Sequence, residues 1–208
     1  NLECARASRL LWIPWILALF SLSVFCALAV VGWPGTFAAA GGGFCETFRE
    51  GVIKQPANTW SNLGFVVAGL WVIRRVRIDL AGTVRPLNLI GRSTALSTLY
   101  AALVVFLGPG SMAMHGSGTA WGGTTDVLSM LLYIAFPVTY AFVRVVGGGV
   151  RACGWLYAAL AGGFGISLVT GTLPFSGSTF YTWLVPVFAG LELWLHFRNF
   201  VVNRDLRW

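Results

Sequence analysis

Six blocks of mainly apolar residues run along the chain, separated by short segments that carry most of the positive charge. They fall at about residues 10–32, 58–76, 92–115, 125–146, 152–173 and 179–200, and a helix needs about 20 residues to cross a hydrocarbon core. The pattern predicts an all-α fold, a polytopic transmembrane helix bundle of six spans in one domain over residues 1–208. No internal repeat is evident, and the triplets Gly41–Gly43 and Gly147–Gly149 read as hinges or turns beside helix ends.

The charged positions orient the bundle. Arg6 and Arg9 precede the first block, and Arg74, Arg75, Arg77, Arg85 and Arg92 fill the second connection. Arg144 and Arg151 bracket the fourth, and Arg198, Arg204 and Arg207 follow the last block. All of these share one side, while Arg49 and Lys54 fall on the other, in the loop at about 33–57. Because positive charge is retained in the cytoplasm, the asymmetry predicts that both termini are cytoplasmic. The first block has a rival reading as a signal peptide, with Ala38–Ala40 as its cleavage zone, but its run of about 22 apolar residues exceeds the usual apolar region of such peptides. Cys4 and Cys153 fall on the cytoplasmic side, Cys26 within a helix and Cys45 outside, so no intramolecular disulfide is expected.

Composition agrees with a membrane class. With 57% hydrophobic residues, 10% charged residues and a mean hydropathy of +0.76, a soluble domain of 208 residues would lack the polar surface to cover itself. Ten Trp suit interface anchoring, and 26 Gly suit close approach of helices in a bilayer. The net charge of +7 is spread between helices rather than gathered on one polar surface, which argues against nucleic-acid binding.

Polar side chains are scarce, so their grouping carries information. Ser111 and His115 are four positions apart and share a helix face at the outer end of the third span. Gly108-Pro109-Gly110 just before them can break or bend that helix. Asp126 heads the fourth span at the same level, across a glycine- and threonine-rich loop. Taken singly, Ser111 reads as a packing serine, Asp126 as an N-cap beside Thr124 and Thr125, and His115 as an interfacial side chain. Together they offer an imidazole suited to zinc, a carboxylate for proton transfer and a hydroxyl for a developing oxyanion. Asn58, Ser61 and Asn62 place three polar groups in the first turns of the second span, more than capping requires, where they can brace a neighbouring site.

Four stretches bear on function: Phe44-Cys45-Glu46, Asn58-Thr59-Trp60-Ser61-Asn62, Ser111 with His115, and Asp126-Val127-Leu128-Ser129-Met130, which begins eleven residues after the histidine. With these the chain resembles the alkaline ceramidases and their bacterial relatives, within a wider group of intramembrane hydrolases that includes the adiponectin receptors. The similarity covers about residues 44–133 specifically, and hydropathy extends a core to about 44–208 with an extra helix at about 10–32. It implies that Ser111 stabilises the transition state, His115 ligates zinc, Asp126 assists acid and base steps, and the substrate is the amide of a ceramide-type lipid. Glu46, Asn58, Ser61 and Asn62 are the supporting polar residues. The implied setting is a bacterial-type inner membrane with the site facing the periplasm.

Two departures qualify the resemblance. The family completes its zinc site with a pair of histidines four residues apart, whereas this chain has only His115 and His196. Glu192 and His196 have that spacing, but His196 lies about 25 Å along the sixth span at about 1.5 Å per residue, at the other side of the membrane. His196 therefore reads as an interface residue beside Arg198, and Glu192 as a polar interhelical contact. The resemblance implies that residues 179–200 match the family's fifth core helix, with two further helices beyond Trp208. Some relatives also hold calcium; Glu46 matches there, but Gln55 replaces a carboxylate and Gly43 and Phe48 take other ligand positions, so calcium is not expected. The alternative to a zinc hydrolase is a non-catalytic membrane accessory subunit that keeps the fold and binds a partner in a complex. A transporter is the third reading, with no repeat to support it.

Overall fold

The computed structural model describes residues 8–82, 88–172 and 177–205; Cys4, Arg6, Arg85 and Arg207 lie outside them. The described chain is helical without a β-strand: α1 (Ile13–Val31), a short α2 (Pro56–Ser61), α3 (Leu63–Ala81), α4 (Thr94–Ser117), α5 (Ala120–Val145), α6 (Val150–Val169) and α7 (Gly177–Asp205). An isolated bridge joins Phe37 to Thr119. Three helices among the described residues, Ser8–Val31, Thr94–Ser117 and Ala120–Val145, are long and apolar enough to cross a membrane. Apolar side chains face outward on them and their neighbours, with Leu19 73%, Trp71 68% and Trp155 78% exposed, as an integral membrane protein requires.

The chain divides into two compact units, Asn1–Met130 and Leu131–Trp208. In the first, α4 is central: 67% of its most apolar window is buried, against 17% for the helix Ser8–Val31. Lipid is as apolar as leucine, so helices in a bilayer associate through close packing rather than through hydrophobic transfer. Gly69 shows the device: a methyl group there would lie 2.6 Å from Val105 Cγ2 and 2.7 Å from the Ala101 carbonyl oxygen. Its absence lets α3 settle on α4, and Val66, Val105 and Ala18 of α1 close a small core beside it.

Gly108-Pro109-Gly110 does not break α4, which runs through Pro109 to Ser117. The flanking glycines serve contact instead. A methyl group at Gly108 would lie 2.8 Å from the Asn62 carbonyl oxygen, and one at Gly110 would lie 2.6 Å from Ser129 Oγ on α5. The connection to α5 is also shorter than the loop expected between the third and fourth spans. Gly118 takes a left-handed conformation (φ 64°) and its N–H bonds to the Met114 carbonyl at 2.8 Å. The Thr119 hydroxyl then accepts the Gly122 N–H at 3.1 Å, so the next helix begins at Ala120.

The second span expected at about 58–76 is divided. Pro56 opens α2, where its missing N–H costs nothing. The Asn62 side-chain amide and the Ser61 hydroxyl both donate to the Asn58 carbonyl, at 2.7 and 3.0 Å. Side chains thus compete for a helical acceptor, and the helix is interrupted before α3.

In the second unit the C-terminal half of α5 packs with α6 and α7. Phe136 stacks on Tyr140 with ring centroids 6.2 Å apart and meets Tyr157 edge-on at 5.9 Å. Glu192 of α7 accepts from Arg144 Nη1 at 2.6 Å, the interhelical contact expected of it. Arg198 donates to the Val145 carbonyl at 3.0 Å, satisfying the end of α5. His196 is exposed on α7, its ring against Phe197 at 5.9 Å.

Candidate functional site

The last turn of a helix leaves carbonyl groups without intrahelical donors. At the end of α4 the segment 38–55 supplies them. Gln55 N–H bonds to the His115 carbonyl at 3.0 Å and Lys54 N–H to Gly116 at 2.9 Å, while Ala38 and Ala40 N–H groups reach Gly118 at 2.9 and 3.1 Å. Rings fix the same segment: Phe37 meets Phe48 at 5.0 Å, and Phe44 meets the His115 imidazole edge-on at 4.8 Å.

Gln55 is the pivot of this arrangement, with no exposed surface. Its Nε2 donates to the carbonyls of Gly41 at 3.1 Å and Glu46 at 2.6 Å. An amide nitrogen is only a donor and both partners are only acceptors, so the amide has one orientation, with Oε1 towards His115 Nδ1 at 2.6 Å. That oxygen can only accept. Nδ1 therefore carries the hydrogen, and in the neutral ring Nε2 presents its lone pair. Gly41 makes room for the contact: its φ is +88°, and a methyl group there would lie 3.1 Å from Gln55 Oε1 and 3.4 Å from His115 Nδ1.

Glu46 acts on the helix beside it. Its two carboxylate oxygens accept the N–H groups of Ala57 at 3.0 Å and Asn58 at 2.7 Å, capping the first turn of α2. Arg49 approaches at 3.5 Å. The Asn58 N–H foremost, then that of Ala57 and the Arg49 charge, hold the carboxyl below the usual carboxylate range, against an opposing desolvation effect. Ser61 and Asn62 bond locally to the Asn58 carbonyl, and Asn58 Nδ2 is itself buried without a partner among the described residues.

The second polar group lies where α4 and α5 cross. The Ser111 hydroxyl lies within electrostatic reach of the Asp126 carboxylate, and Ser129 Oγ donates to the Asp126 carbonyl at 2.8 Å. Asp126 is 7% exposed and sits inside α5, about two turns beyond the capping Thr119 rather than at the helix head. Ser111 and His115, one turn apart on α4, thus meet different partners: Ser111 faces α5, and His115 faces the 38–55 segment. Beside the Ser111–Asp126 pair, an apolar groove of about 190 Å³ runs between α1, α4 and α5, lined in part by Phe20, Val24, Pro109, Gly110 and Thr125.

Zinc, which the resemblance implies, takes three protein ligands in a catalytic site. Among the described residues no group of three His, Cys, Asp or Glu side chains could hold a metal ion. The donors at this site do not complete such a shell; His115 Nε2 is the single imidazole position offered. Sequence reasoning missed Gln55, noted there only as a carboxylate replaced, and Gly41, noted only as part of a hinge. A buried-type amide directly before a helix-opening proline was the available signal. Compared with known proteins, the chain matches no family model, no curated protein and no solved structure.

Proposed function

We propose that this chain is a ceramidase-like intramembrane hydrolase that acts on the amide of a ceramide-type lipid. The observation that carries the reading is the buried Asp126 carboxylate beside the Ser111 hydroxyl, at the same end of the α4–α5 hairpin as His115. Asp126 holds or moves a proton, the Ser111 hydroxyl donates to an oxygen that gains charge, and the Nε2 lone pair accepts a proton or a Lewis acid. The apolar groove supports a lipid substrate, because Gly110 and Thr125 in its wall adjoin Ser111 and Asp126 in the chain. Arginine asymmetry supports six spans with cytoplasmic termini, and hence a site that faces the periplasm of a bacterial-type inner membrane.

A second reading is a non-catalytic accessory subunit of a membrane complex, and the incomplete donor set favours it. Release of fatty acid from ceramide in mixed micelles, with zinc supplied, separates the two. The hydrolase reading expects activity that falls by about 10²-fold or more in Ser111→Ala and Asp126→Asn. Absence of turnover in the parent protein, or equal turnover in both variants, would leave the subunit reading standing.

A further inference from the structure

A polar-rimmed cavity lies far from that site in the chain, between the start of the Ser8–Val31 helix and the second half of α3. It has a volume of about 300 Å³ and is lined by Ser8, Trp12, Trp15, Ile73, Arg74 and Arg77, among others. Its floor is apolar, with Ile73 1% exposed, and its walls include the half-open rings of Trp12 and Trp15. The Arg77 guanidinium stands 6.0 Å from the Trp12 ring centroid. Arg75, between the two lining arginines, turns instead to Asp79 at 3.0 Å. Among the described residues neither Arg74 nor Arg77 has an ion-pair partner.

Two guanidinium groups without an ion-pair partner among the described residues, above an apolar floor, call for a ligand with the reverse order, an anion joined to hydrocarbon. Guanidinium forks match phosphate oxygens in geometry as well as charge. Ser8 begins a helix long and apolar enough to span a bilayer, so the cavity falls at the depth where tryptophans settle and headgroups begin. We infer that this cavity binds the headgroup of an anionic phospholipid, with Arg74 and Arg77 on its phosphodiester and the tryptophan rings against the glycerol and first methylenes. A zwitterionic headgroup would bring its own ammonium towards the guanidinium groups and is disfavoured. The inference needs only that the first helix crosses a membrane; it does not depend on hydrolysis.

Native mass spectrometry of the full chain tests it, with phosphatidylglycerol and phosphatidylcholine of identical acyl chains offered in competition. The parent protein is expected to retain phosphatidylglycerol preferentially. Arg74→Gln and Arg77→Gln should each lose most of that preference, Arg74→Lys and Arg77→Lys should keep part of it, and Arg75→Gln should keep it whole. Each glutamine variant removes one charge from the same helix, so equal losses in all three would mean diffuse surface attraction and overturn the site. Retention unchanged in Arg74→Gln and Arg77→Gln would overturn it as well. Displacement of the lipid by free glycerol phosphate would assign the cavity to a soluble phosphate ester and defeat the lipid headgroup.

Discussion

Replacing Gln55 by leucine removes a polar side chain at nearly constant volume and so isolates its hydrogen bonds. Three are lost together, to His115 Nδ1 at 2.6 Å, the Glu46 carbonyl at 2.6 Å and the Gly41 carbonyl at 3.1 Å. At about 1 kcal/mol net per bond the loss is about 3 kcal/mol, and this is a floor, because the buried Nδ1–H is left without an acceptor. Denaturant unfolding in detergent micelles measures the stability. The chain has two histidines, so in a His196→Asn background His115 is the only imidazole, and ¹⁵N NMR reads its tautomer directly. The parent should show hydrogen on Nδ1 and a bare Nε2; Gln55→Leu should release the ring to a mixture of tautomers. A parent spectrum with hydrogen on Nε2 refutes the hydrogen-bond reasoning outright. So does Gln55→Leu with an unchanged spectrum and a loss below about 1 kcal/mol.

Gly69→Leu should destabilise by about 1–3 kcal/mol, since its first side-chain atom meets the Ala101 backbone at 2.7 Å, whereas Gly64→Ala, with nothing within 4 Å, should be neutral or gain up to about 1 kcal/mol; thermal unfolding of both in one detergent compares them. The folded Glu46 carboxyl titrates below its ordinary value, so its stabilisation is fully present above that ordinary value and is lost as pH falls through the lowered folded one. The stability gap between parent and Glu46→Gln should therefore close between about pH 7 and about pH 3, and a gap constant over that range contradicts the capping role. Arg144 and Glu192 side chains are 32% and 35% exposed, so solvent screening limits their coupling to about 1 kcal/mol or less. A double-mutant cycle with Arg144→Gln and Glu192→Gln should find it, and zero coupling would count against the contact.

Helices were legible in the sequence because each apolar block is long relative to its polar gaps. The block expected at about 92–115 is the helix Thr94–Ser117, and that at about 152–173 is Val150–Val169. Errors arise where side chains choose between local partners. Asn58, Ser61 and Asn62 looked like polar groups turned to a neighbouring site, but Ser61 and Asn62 bond to the Asn58 carbonyl and divide the helix. Asp126 looked like an N-cap beside Thr124 and Thr125, but it lies inside α5, the two threonine hydroxyls bond back to the Ala120 and Trp121 carbonyls, and Thr119 takes the capping role. Composition shows that such residues are present. Only geometry shows which carbonyl or amide each one wins.

Gln55 marks the deeper limit, because its role depends on chain reversal rather than on neighbours in sequence. Its partners lie 14 residues before it at Gly41, 9 before at Glu46 and 60 after at His115. No periodic pattern spans those intervals. The same reversal couples two things that look separate in the sequence: the backbone N–H of Gln55 closes the end of α4 while its side chain orients the His115 ring. A shift of the 38–55 segment would therefore cost α4 its terminal donors and the imidazole its fixed tautomer at once. Ser111 and Asp126 have no such dependence, since both belong to the α4–α5 hairpin, and the Gly110 contact with Ser129 holds those helices together. Perturbing the loop should consequently change the histidine without displacing the serine–aspartate pair, a separation that any chemistry using all three must bridge through substrate or metal.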